Sequence, residues 1–140
     1  EARDAVQLGD FDADGDTDAL ATRWTEAKPD AGLVFVENLG RGAFAARSLP
    51  IAGAGDCRQG VPMARRGGAS RTQVALSWHA AGKGVQLLTV PDSPASGSWR
   101  LETISSDSQD EALSAGDIDR DGQLDLLLGT AWLRHEPGGA

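Results

Sequence analysis

Short apolar runs, broken by Gly-, Pro-, Asn- and Asp-containing segments, set the pattern of this chain. Residues 5–8, 19–22, 33–36 and 44–49 are such runs, rich in branched and aromatic side chains. Their brevity and punctuation predict strands rather than helices. Gly40-Arg41-Gly42 predicts a turn between the third and fourth of them. Leu126-Leu127-Leu128 is continuously apolar, as expected of a strand buried on both faces. The best rival helix covers residues 107–115, but it is short and leads straight into a loop motif.

The same pattern recurs along the chain. Residues 8–20 (LGDFDADGDTDAL) match residues 115–127 (AGDIDRDGQLDLL), 107 positions later. That distance is about twice the ~40–50-residue period of four-stranded repeat units. A middle copy fits at residues 63–76, 55 positions after the first and 52 before the third. Residues 44–49 likewise match 99–104, and 37–40 resemble 136–139. The expected repeats are approximately 1–52, 53–107 and 108–140, the last one cut short.

The outer copies carry carboxylates in a fixed spacing. Asp10, Asp12, Asp14 and Asp18, and likewise Asp117, Asp119, Asp121 and Asp125, occupy loop positions 1, 3, 5 and 9. Glycine stands at position 6, and position 7 (Asp16 or Gln123) is expected to offer its backbone carbonyl. Crowded carboxylates repel one another, and a cation relieves that repulsion. All-oxygen donors favour Ca²⁺ over zinc or copper, and Ca²⁺ accepts about 6–8 oxygens where Mg²⁺ keeps its waters. Two Ca²⁺ sites are therefore expected, and the alternative is a solvated acidic turn. An EF-hand needs Glu at position 12, where this chain has Ala21 and Leu128. The middle copy has Arg65, Gly67, Ala69 and Gln73 at the four acidic positions and is expected to bind no Ca²⁺. Arg65, Arg66 and Arg71 there form either a solvated turn or an anion contact.

The two acidic loops and the strand pattern resemble FG-GAP/VCBS repeats, the blade unit of integrin alpha-chain propellers and of many bacterial secreted proteins. Residues 128–132 also look like the second strand of that unit and its exit. The resemblance implies an all-β fold: β-propeller blades of four antiparallel strands, about 2.7 of them, in an incomplete ring. It implies Ca²⁺ in the loop between strands one and two of a blade. The missing blades are expected from a longer chain or from oligomerisation. The chain alone is expected to associate through open sheet edges. Family members act as adhesion modules, lectins and scaffolds. The implied function is a non-catalytic scaffold or binding surface for a protein or glycan. The alternatives are a lectin-type propeller and the propeller portion of an aldos-2-ulose dehydratase-like lyase, which residues 132–139 resemble.

Composition narrows this further. The formal net charge is -8, yet nine of the 21 acidic residues lie in the two loops, and the remainder would be +1. The acidity belongs to two sites on a nearly neutral scaffold, and two bound Ca²⁺ would bring it to -4. Nucleic-acid binding needs a basic surface and is not expected. No apolar run has the ~20 residues of a membrane helix. Cys57 is single, which excludes an intrachain disulfide. No nucleophile elbow or phosphate loop is present. His79 and His135 are read as structural or exposed rather than as catalytic groups or metal ligands, and the four tryptophans as fillers between blades rather than stacking surfaces for sugars. Millimolar extracellular or periplasmic Ca²⁺ suits such loops, so an exported protein is expected.

Overall fold

Eleven strands build the described part of the computed structural model, which covers residues 4–23, 32–51, 57–63, 72–78, 84–107 and 113–136. Four come first: β1 (Asp4–Gly9), β2 (Asp18–Thr22), β3 (Leu33–Asn38) and β4 (Phe44–Ser48). β5 (Cys57–Met63), β6 (Gln73–Trp78), β7 (Val85–Thr89) and β8 (Arg100–Ser105) follow. The last are β9 (Ser114–Gly116), β10 (Asp125–Leu128) and β11 (Ala131–Leu133). No helix occurs among the described residues, and none therefore is long and apolar enough to cross a membrane. The end of the rival helix is strand β9.

Within each sheet, strands consecutive in the chain pair antiparallel. The sheets run β1-β2-β3-β4, β5-β6-β7-β8 and β9-β10-β11. Period-two alternation then decides what each face buries. Leu20, Leu33 and Phe35 of the first sheet meet Val74, Leu76 and Leu88 of the second in one core. Ala75 and Val85 point the other way and meet Leu113, Leu126 and Leu128 in another. The middle sheet is thus covered on both faces. β1 runs beside β5, and β5 beside β9, so the sheets converge on their first strands.

Two features lock the first sheet to the second. Trp99 packs against both Phe11 and Phe35, with ring centroids 6.4 and 5.4 Å away, and its indole donates to the Pro94 carbonyl. Arg47 of β4 donates to the carbonyls of Pro94, Ala95 and Gly97 in the β7–β8 loop. Phe44, matched to Trp99 by sequence, is instead 62% exposed. Aromatic identity alone does not decide burial; a facing sheet does.

Two further expectations change. Leu126 and Leu128 are buried, but Leu127 is 40% exposed, because no described sheet covers its face. The matching of residues 37–40 with 136–139 shifts by two. The pairs Leu20↔Phe35 and Leu127↔Trp132 put His135, not Pro137, at the position of Asn38. The expectations for Trp24, residues 64–71, His79 and residues 137–139 fall outside the described residues, as does the Cys57 side chain.

Candidate metal centre

Each acidic loop joins the first strand of a sheet to the second. Gly9 pairs with Asp18 and Gly116 with Asp125, so both loops leave and re-enter their sheets in the same register. The backbone turns identically in the two. Position 4 is left-handed in both (Ala13 φ 64°, Arg120 φ 63°), and so is position 6 (Gly15 φ 96°, Gly122 φ 88°). Only glycine adopts the latter values without strain, which accounts for glycine at that position.

Carboxylates organise the turn through side-chain to backbone hydrogen bonds of the Asx type. Asp10 accepts from the amides of Asp14 and Gly15, at 3.2 and 3.1 Å. Asp117 accepts from Gly122 at 3.0 Å. The amides of Asp14 and Asp121 donate to Asp12 and Asp119, each at 3.2 Å. The amides of Asp16 and Gln123 donate to Asp14 and Asp121, each at 2.8 Å.

Position 9 behaves differently. Asp18 and Asp125 are each only 1% exposed. Asp18 accepts from the amide of Phe11 at 3.0 Å and from that of Asn38 on β3 at 2.9 Å. Asp125 accepts from Ile118 at 3.0 Å and from His135, just beyond β11, at 2.8 Å. One carboxylate therefore ties the start of the loop to the third strand of the sheet. Burial by itself drives the Asp125 carboxyl upward. The amides of His135 and Ile118, the Trp132 indole and the Asp119 amide outweigh it and hold it below the usual aspartate value.

Oxygens of Asp10, Asp12 and Asp18 lie within 4.8 Å of one another, as do those of Asp117, Asp119 and Asp121. Ligands about 2.3–2.6 Å from one Ca²⁺ span up to about 5 Å, so both triads fit that ion. Asp14 lies at the exposed tip of its loop. A Cβ at Gly40 would stand 3.1 Å from Oδ2 of Asp16, so Asp16 lies against the β3–β4 turn. Gln123 is half-buried. The Asp12 carboxyl is raised above its usual value. Burial is the largest cause and the charges of Asp18, Asp14 and Asp10 add to it, while the Asp14 amide opposes them.

One neighbour escaped sequence reasoning. Arg134 Nε donates to Asp119 Oδ2 at 2.6 Å. Fifteen residues separate the two, and no local pattern connects them. The signal lay in the short Gly129-Thr130 turn, which brings β11 back beside β10. The same register puts Glu37 at the corresponding place of the first sheet.

Comparison with known proteins found no matching family model, curated protein or solved structure.

Proposed function

We propose that this chain is a calcium-binding segment of a β-propeller built from FG-GAP/VCBS-type repeats, a non-catalytic scaffold that presents loops to a protein or glycan partner outside the cell. The observation that carries the reading is the close likeness of two acidic loops, 107 residues apart, which share left-handed positions 4 and 6, strand register and most of their Asx hydrogen bonds. The antiparallel meanders converging on their first strands support a blade-like arrangement. The register supports the repeat reading too. Asp18 and Gln73 open their second strands, 55 positions apart, and Ala46 and Leu101 hold like places on their fourth strands at the same spacing.

Asp10, Asp12 and Asp18 would hold one ion and Asp117, Asp119 and Asp121 the other. A bound Ca²⁺ supplies charge neutralisation and a cross-link across the loop. The chain's own residues prepare for it: Asx bonds preset the turn, and position 9 anchors it to the sheet. The Asp12 carboxyl is raised first by burial and then by the charges of Asp18, Asp14 and Asp10, and a cation would offset both.

Calorimetric titration with Ca²⁺ is expected to show two sites. Asp12→Ala should abolish one and Asp119→Ala the other. Absence of binding heat in the unsubstituted protein, with no calcium-dependent rise in melting temperature, would count against the reading.

The two sites are expected to differ. Arg134 occupies Asp119 in the third sheet, whereas the first sheet has Glu37 at the equivalent position and a fifth carboxylate, Asp16, in its loop. The first loop should bind more tightly. Exposed ion pairs contribute about 0.2–1 kcal/mol, so Arg134→Ala should tighten the weaker site by about 1.4- to fivefold. The same titration checks it; an unchanged weaker constant would show that Arg134 does not compete.

A further inference from the structure

The two outermost sheet faces are counterparts of faces that meet inside the molecule. Leu20 and Phe35, paired across β2 and β3, are buried against the second sheet. Ala75 and Leu87, at the same places in the second sheet, pack toward the third. Leu127 and Trp132, at the same places in the third, are 40% and 46% exposed. The opposite faces follow the reverse order. Val74, Leu88 and Leu101 form a row across the second sheet and pack on the first. Leu126 and Leu133 form the like row in the third sheet and pack on the second. In the first sheet the same row is Leu8, Ala19, Val36 and Ala46, apolar on all four strands, with Leu8 59% exposed. Phe44 adjoins it at 62%. Ala21 and Val34, further along that face, are already buried, so the open patch is confined to the end nearer the acidic loop.

We propose that this chain binds a second copy of itself head to tail, the Leu127/Trp132 face of one copy seating on the Leu8/Val36 face of the next. The contact continues an interface that the molecule already makes twice. It joins two different patches and is therefore heterologous, closing into a ring when the rotation per copy permits. Three sheets converging on their first strands are compatible with such a rotation. Rings of this kind hold about 4–8 sheets, and two copies with three described sheets each fall within that range. The contact rests on the sheet stacking alone; ring closure rests on the propeller reading above.

Sedimentation velocity over a concentration series, in millimolar Ca²⁺ and again in chelator, tests this. The expected species is a dimer, twice 14.6 kDa, with no larger assembly. Leu127→Lys blocks one face and Leu8→Lys the other, and each should weaken association at least tenfold, since a buried unpaired charge is costly. An equimolar mixture of the two variants retains one intact pair of faces and should recover a one-to-one complex. Circular dichroism checks that each variant folds, and Phe44→Lys replaces Leu8→Lys if that one does not. Dimerisation without Ca²⁺ binding would sink the calcium reading and leave this one standing. Association that survives either single variant points to edge pairing or like-to-like contact and overturns the proposal. A monomer at every concentration overturns it too and leaves both faces to sheets of another sequence.

Discussion

Trp99→Ala is expected to cost about 3–5 kcal/mol, the range for an aromatic side chain deleted from a packed interior. Trp99 is 6% exposed and touches both Phe11 and Phe35. It stands between two sheets, so its loss leaves a cavity at their junction rather than within one of them. The Pro94 carbonyl also loses its indole donor, and the loop that Arg47 grips loses its inner support. Urea unfolding monitored by far-ultraviolet circular dichroism gives the difference. Trp99→Phe separates the contributions: it keeps most of the apolar area and forfeits the hydrogen bond, for about 0.5–1.5 kcal/mol from that bond. Equal losses for the two variants would show that packing at this junction is not what the ring provides.

The second large effect belongs to a carboxylate that the loop motif marks as a ligand and the fold uses as a tie. Asp125→Ala leaves the amides of Ile118 and His135 without their acceptor in a partly buried place. An unsatisfied buried donor costs about 1–3 kcal/mol, and at the lower end that suits partial burial about 2 kcal/mol is expected for the pair. The loss should appear in chelator as well as in Ca²⁺, which distinguishes a tie from a ligand. Asp12→Ala should matter chiefly when Ca²⁺ is present. The pH dependence has a defined sign. The folded-state value of Asp125 lies below its ordinary 3.8. Its stabilisation is complete above that value and is lost as pH falls through the lower, folded-state one. Acid unfolding of Asp125→Ala should therefore be less steep below pH 3.8 than that of the parent chain. Parallel acid profiles would mean that Asp125 contributes nothing to that steepness.

The strands were legible because strand signals are local. Branched and aromatic runs of four to six residues bounded by turn formers leave few alternatives. β2, β3 and β4 fall within two residues of where the pattern puts them. The loop turn was legible for the same reason: glycine at position 6 and aspartate at alternate positions impose their geometry within nine residues.

What stayed hidden depends on residues far apart in sequence. Phe44 and Trp99 hold matching places in the chain, yet one faces solvent and the other a neighbouring sheet. Leu127 reads like Leu126 and Leu128, but sheet alternation turns it to an uncovered face. Asp18 and Asp125 read as ligands like their neighbours. Their work of joining the loop to the third strand appears only once Asn38 and His135 arrive beside them. Arg134 against Asp119 depends on a turn whose shortness no motif announces. The sequence by itself determined an all-β chain with two equivalent acidic turns, because backbone conformation over a few residues follows local chemistry. Only the tertiary structure decided which carboxylates converge, which are tied down, and which apolar rows remain open, because burial and pairing are properties of the sheet that comes to lie opposite.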